Sequence, residues 1–223
     1  MGGKLAFKLD SVDDIFPTPL LRFEVADAGK LNRALMKEIA KRQQAEGGMT
    51  RSNRRGWHSE RDLFDRKEQA HAALAQMLLR MMAQATQRLA PNTDFTGMEL
   101  LADGWINVNQ RGAYNAPHDH VGGFWSGVYY VQQPDDVDGH SGTIEFLAPH
   151  KPLRGRGMIE APITAEKVTV RPSPGTVLMF PCTLVHWVHP NDSDTDRVTI
   201  AFNGHFRRRQ SAQPGQAILS KKK

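Results

Sequence analysis

Cysteine is almost absent: Cys182 is the only one in 223 residues. That excludes an intramolecular disulfide framework and any thiolate-rich zinc or iron–sulfur site, so a bound metal would have to draw on histidine and oxygen ligands. The thiol itself, within Phe180-Pro181-Cys182, reads as a buried structural residue. Long apolar runs are missing too. No stretch approaches the roughly 18 consecutive apolar residues that span a bilayer, and Met1 to Asp10 lacks the apolar core, roughly 7–15 residues, of a secretory signal. The expectation is a soluble, cytoplasmic protein with no membrane partner. There is no phosphate-cradling glycine loop and no Gly-x-Ser-x-Gly nucleophile elbow. Nor does a repeat or low-complexity linker divide the chain, so a single domain over 1–223 is expected.

Hydrophobic residues make up 39% of the chain and charged residues 24%, enough to bury a core around a shielded site. The net charge of +5 owes much to Arg207-Arg208-Arg209 and Lys221-Lys222-Lys223. No aromatic residues are interleaved with these charges, so residues 207–223 read as a solvated basic tail, which argues against a nucleic-acid partner. The acidic loop Asp135, Asp136 and Asp138 lacks the oxygen-ligand spacing of a calcium loop and reads as solvated.

The character of the chain changes near residue 95. Residues 1–97 read as a helical part packing on a sheet: Leu31, Leu35 and Ile39 share one face of a helix near 28–45 that Gly47-Gly48 ends. A second helix near 67–90 puts Leu74, Leu78, Met81, Ala85 and Leu89 on one stripe and stops at Pro91. From 98 to 206 the pattern is short β-type runs: Trp105–Asn109, Gly127–Val131, Thr143–Leu147, Lys167–Arg171, Thr176–Phe180, Leu184–His189 and Val198–Phe202. Turn residues such as Pro172-Ser173-Pro174-Gly175 separate them. Helices followed by such strands predict an antiparallel double sheet with the helices against one face.

Within Asn115-Ala116-Pro117-His118-Asp119-His120 the two histidines flank one residue, so on an extended strand both rings leave the same face and can grip one ion. Imidazole suits iron, zinc, copper or nickel, and at a reference pKa of about 6.5 it is mostly neutral and ligand-competent at pH 7. Far downstream, His186 stands alone among Leu184, Val185, Trp187 and Val188, in an apolar setting where an imidazole needs a partner. A satisfied core histidine is the bland reading. Arg197 then opens Arg197-Val198-Thr199-Ile200-Ala201-Phe202-Asn203, in which alternation sends Arg197, Thr199, Ala201 and Asn203 to one small, polar face. A guanidinium there can hold a carboxylate through two parallel hydrogen bonds, with Thr199 adding another. The competing reading is a surface arginine paired with Asp194 or Asp196.

His118-Asp119-His120, Ser126-Gly127-Val128-Tyr129-Tyr130, Gly142 before Thr143-Ile144-Glu145-Phe146, Pro174-Gly175 through Phe180-Pro181, His186, and Arg197 through Asn203 together resemble the 2-oxoglutarate/Fe(II)-dependent oxygenases, particularly a bacterial and phage branch. The likeness covers about residues 100–206, and Gly56-Trp57-His58-Ser59 also looks like that branch. It implies a double-stranded β-helix, a cupin-like jelly roll, with Fe(II) as metal and 2-oxoglutarate as co-substrate. His118 would be the first ligand, His186 the distal histidine, and Arg197 with Thr199 the clamp for the far carboxylate of 2-oxoglutarate. Asn107, Tyr129 and Asn203 would line the co-substrate pocket. The implied partners are 2-oxoglutarate, dioxygen and an organic substrate to be hydroxylated, with a homodimer left open.

One departure matters. The usual set is two histidines and one carboxylate, and His120 stands where the carboxylate normally stands. Either the ion has three imidazoles, His118, His120 and His186, or a bulge turns Asp119 inward; regular alternation favours His120. Trp57, His58, Trp105, Phe124 and Trp125 are candidates for a substrate entrance, and Gly122-Gly123 for a mobile lip. His189 falls on the face opposite His186, so neither it nor His205 is expected to bind metal. The alternatives are a cupin-like metal-binding or sensor protein without turnover, and a metal-free nucleic-acid binder working through the basic tail.

Overall fold

Alternation of β-branched and aromatic residues with small or polar ones drives much of the chain beyond residue 97 into strands, which a computed structural model arranges, with three short strands from the first part, as two stacked antiparallel sheets. It describes residues 8–49, 51–134, 139–154 and 156–209; the acidic loop 135–138 and the Lys221–Lys223 end of the basic tail lie outside these. In chain order the elements are β1 (Leu21–Glu24), α1 (Ala28–Ala45), β2 (Asn53–Arg54), β3 (Trp57–His58), a short 3-10 turn (Leu63–Asp65), α2 (Gln69–Leu89), β4 (Met98–Asn109), β5 (Tyr114–His118) and β6 (Trp125–Gln132). There follow β7 (Ile144–Leu147), β8 (Lys167–Val170), β9 (Thr176–Pro181), β10 (His186–Val188) and β11 (Arg197–Arg208).

One sheet has six strands in the order β1-β9-β6-β11-β4-β3, the other five in the order β2-β5-β10-β7-β8. From β4 onward the chain passes back and forth between them, which makes the pair a jelly roll. The β2–β3 segment joins the sheets along one side: β2 pairs with β5 and β3 with β4. Buried Ser59 secures it, its backbone N–H donating to the Ile106 carbonyl and its Oγ accepting from the Ile106 N–H.

Two apolar clusters result. Leu35 and Ile39 of α1 and Leu74, Leu78 and Met82 of α2 pack on Ile106, Val108, Val198, Ile200 and Phe202, the outer face of the six-stranded sheet. Tyr130, Ile144, Phe146, Leu178, Phe180, Leu184 and Val188 fill the space between the sheets. Close packing leaves no room for a side chain at Gly127, where a Cβ would run into the Phe202 ring and lie 2.8 Å from the Leu178 carbonyl oxygen.

The structure corrects the sequence reading in places. The α2 stripe passes through Met82 rather than Met81, which is only half-buried, and Leu89 is 51% exposed because the helix has by then run past the sheet. The strands β1, β2, β3 and β5 are additional; two of them have only two residues, too few for a period to show. Arg207 and Arg208 belong to β11 and not to a free tail, and Arg207 donates to Glu99 on β4 at 3.0 Å.

Ile200 lies at the centre of the helix-facing cluster and is fully buried. Ile200→Ala is expected to cost about 2–5 kcal/mol of unfolding free energy, measured by urea denaturation; a loss under about 1 kcal/mol would mean that the helices do not rest on this face.

Candidate metal centre

His118 closes β5 and His186 opens β10, and the two are directly opposed partners in the antiparallel ladder. Opposed residues bring their side chains within about 5 Å on one face, and the two rings lie 4.5 Å apart between centroids. His120 lies just beyond the strand end, where its backbone N–H donates to the Cys182 carbonyl at 2.8 Å. Its ring is 5.0 Å from His118 and 5.3 Å from His186. One ligand nitrogen from each of the three lies within 4.8 Å of the others.

Their protonation suits ligation. The Nδ1 atoms of His118 and His186 face the carbonyl oxygens of Ala116 at 2.7 Å and Leu184 at 2.9 Å. A carbonyl only accepts, so Nδ1 carries the proton and Nε2 keeps its lone pair. Burial, with the neighbouring His118, holds His186 down to about 4. Burial, then His186, His118 and Arg61, holds His120 down to about 3. Burial also lowers His118. All three are neutral donors at neutral pH. Asp119 is exposed and stands outside the group, so of the two alternatives for the remaining position the structure brings His120 to the cluster.

The histidines line one part of a cavity of about 410 Å³, mouth included, that also exposes Trp105, Asn107, Asn115, Arg197 and Thr199. Arg197 faces Asn109 across the β11–β4 ladder and Thr199 faces Asn107, whereas Trp105 stands further along, opposite Ala201. Arg197 is fully buried, and burial pulls its pKa below the usual guanidinium value. Its Nη1 reaches Thr199 Oγ1 at 3.5 Å and its guanidinium lies over the Tyr130 ring at 5.2 Å. Nε is buried without a hydrogen-bond partner, and no carboxylate among the described residues pairs with this cation. Asp194, a partner considered from the sequence, is bound to Arg111 at 2.9 Å.

Two expected pocket residues are elsewhere. Tyr129 faces the helices, fully buried, with its hydroxyl donating to Asn32 Oδ1 on α1, because alternation along β6 turns Tyr130 and not Tyr129 between the sheets. Asn203 lies on β11 beyond the cavity lining, where its Nδ2 donates to Asp103 Oδ1 at 3.0 Å. Asn107 does line the cavity, with Oδ1 buried and unpartnered. Asn115 was missed for a physical reason. Simple alternation would turn it away from His118, but β5 bulges: His118 and Asn115 oppose His186 and Val188, so three steps on one strand match two on the other.

The entrance candidates divide. Trp105 lines the cavity with buried His58 stacked on it at 5.5 Å. Trp57 donates to the Glu46 carbonyl and Trp125 to Thr86 on α2, both away from the lining. Phe124 is 50% exposed and packs edge-on against Phe206. His189 turns outward to Glu145 at 3.3 Å, and His205 is exposed. Cys182 is buried, its thiol donating to the Gly123 carbonyl, and burial raises its pKa.

Residues 103–203 match the family described as "Putative 2OG-Fe(II) oxygenase". Among solved structures, a prolyl-4-hydroxylase from Pseudomonas putida is similar at 17% identity and a TM-score of 0.62, over 86% of this chain and 93% of that one. A Trichoplax adhaerens prolyl hydroxylase, in complex with a hypoxia inducible factor oxygen degradation domain peptide fragment, is similar at 13% identity and 0.59, over 83% of each chain. HygX from Streptomyces hygroscopicus, with nickel, 2-oxoglutarate and hygromycin B bound, is similar at 15% identity and 0.56, over 84% of this chain and 83% of that one. At these identities the likeness establishes the fold. No curated protein matches the chain.

The depressed histidine values carry a pH dependence. Because the folded chain holds His186 near 4 and His120 near 3, below the ordinary 6.5, the unfolded chain takes up protons first as pH falls, and folding is then disfavoured. The metal-free protein is expected to keep full stability above about pH 6.5 and lose it progressively down to about pH 3. Replacing His120 and His186 with Gln should flatten that fall in the urea midpoint; an equally steep fall would contradict the assignment.

Proposed function

We propose, from the match of residues 103–203 to the 2OG-Fe(II) oxygenase family, that the protein is a non-haem Fe(II) and 2-oxoglutarate-dependent dioxygenase that hydroxylates an organic substrate. One observation carries the reading: a fully buried guanidinium without a carboxylate partner among the described residues shares a cavity with three converging imidazoles. An unpaired buried cation is costly, and a dicarboxylate that also reaches the imidazoles offsets that cost.

The residues fit both groups. His118, His120 and His186 would hold the iron, which accepts imidazole donors and retains open positions beside three protein ligands. Arg197 and Thr199 would take the far carboxylate of 2-oxoglutarate, with Asn107 beside them. When bound, iron and co-substrate supply the oxidising power, dioxygen and 2-oxoglutarate being consumed to give succinate, carbon dioxide and a hydroxylated C–H position.

The chain's own contribution is placement and shielding. The carbonyls of Ala116 and Leu184 fix the ring tautomers of His118 and His186. The rings of Phe180 and Phe146, at 4.8 and 6.0 Å from His186, keep water from its buried side. Ile144 and Val188 supply apolar wall between the polar ends of the cavity. Three neutral imidazoles leave the dication's charge to be balanced by the dianionic co-substrate, where the usual carboxylate would already cancel one unit. No helix among the described residues is long and apolar enough to cross a membrane, and with the lone buried thiol this supports a cytoplasmic location.

The all-imidazole set also favours a second reading, a cupin-like metal-binding or sensor protein without turnover. Arg197 and Thr199 discriminate, since a mere metal holder has no use for a buried carboxylate clamp. Anaerobic Fe(II) with 2-oxoglutarate should give the weak visible charge-transfer band of the chelate; its absence in iron-loaded protein would favour the second reading. Arg197→Ala should weaken 2-oxoglutarate roughly 10- to 100-fold, the worth of hydrogen bonds to a charged group, with iron affinity changed little; equal loss of both would sink the assignment. For the ligand set, His120→Ala should lose most of the bound iron and Asp119→Ala almost none, read as iron per chain by elemental analysis.

A further inference from the structure

Two exposed cations stand next to residues of the cavity lining, and the reading above leaves them unused. The Arg61 guanidinium lies over the Trp105 ring at 4.6 Å, and its Nη1 contacts Asp103 at 3.3 Å. Trp105 is held from behind by His58, nearly parallel at 11°, and its ring lies 5.7 Å from His120. Arg61 is thus oriented by a buried aromatic wall of the cavity while remaining 48% exposed. Among the described residues no acceptor takes its Nε or Nη2. Arg51 is a second exposed cation on this side, its neighbour Ser52 lining the cavity and its charge acting on His58. No acid among the described residues pairs with Arg51. The nearby acid Asp119 is exposed, and its charge acts on His118 and Cys182.

We infer that Arg61, seated on Trp105, anchors the substrate by binding an oxyanion, carboxylate or phosphate, at the Trp105 side of the mouth. The guanidinium offers Nε and Nη2 as unclaimed donor groups, the edge that pairs with an oxyanion, and the aromatic face beneath it excludes water from one side. Resting on the oxygenase reading, the ligand charges point the same way. A dication with three neutral imidazoles and a dianionic co-substrate is electrically neutral, whereas a carboxylate in the ligand set would leave a negative centre repelling an anionic substrate. Loss of that carboxylate and a cationic rim are two parts of one electrostatic arrangement.

Matched probes test this. Protein loaded anaerobically with Fe(II) and saturated with 2-oxoglutarate is titrated calorimetrically with phenylacetate against phenylacetamide, and phenyl phosphate against phenol. At least one anion should bind ten times more tightly than its neutral twin, and the better pair identifies the oxyanion. Arg61→Gln should bring that anion to the level of its twin, and Arg61→Lys should retain part of the preference; an unchanged urea midpoint for Arg61→Gln establishes that folding is intact. Equal binding of acid and neutral twin by the wild type, or a preference that survives Arg61→Gln, would overturn the inference. Absence of the 2-oxoglutarate charge-transfer band would instead count against the oxygenase reading alone, and the anion preference would then be read on the Fe(II) protein without co-substrate.

Discussion

The direct pairing of His118 with His186 across β5 and β10 is the constraint on which the centre depends. It sets the separation of two imidazoles by the spacing of a hydrogen-bonded ladder instead of by loop conformation. β10 is only three residues long, yet it is paired on both sides, with β5 and with β7, so His186 has little freedom to move. His120 needs one more anchor, and its backbone bond to Cys182 supplies it from the segment that leads into β10.

The same strands are braced from outside. Trp187 and His189 alternate with the inward His186 and Val188, and both reach the Glu145 carboxylate on β7, which Lys167 and Thr169 of β8 also contact. Burial opposes its ionisation, but these donors hold Glu145 down to about 2. One carboxylate thereby ties three adjacent strands together on the face opposite the cavity, while the cavity face keeps a cation with no such partner among the described residues. The contrast between a satisfied buried anion and an unsatisfied buried cation in one small barrel sets Arg197 apart from structural polar residues.

The six-stranded sheet solves a different problem. Its outer face is covered by α1 and α2, so β11 can place Val198, Ile200 and Phe202 against the helices and leave Arg197, Thr199 and Ala201 to the cavity. Helix packing and cavity lining are therefore two faces of one strand. Gly127 belongs to both, lining the cavity while giving the Phe202 ring its space.

Much of this was legible in the chain itself. Period-two alternation determined the two faces of β11 and the inward turn of His186, while the lone cysteine confined any metal to histidine and oxygen donors. Where alternation was a poor guide, a tertiary contact intervened. The β5 bulge brought Asn115 to the cavity, whereas Tyr129 and Asn203, expected in the pocket from the family resemblance, follow alternation and lie on the helix side, bonded to Asn32, and beyond the cavity, bonded to Asp103. Whether His120 or Asp119 joins the other two imidazoles was likewise open in the sequence, because the choice depends on how the chain continues past the end of β5. Residue pattern determines which face a side chain takes within a regular strand; where strands begin, end and bulge is decided by the neighbours they pair with, which are distant in sequence.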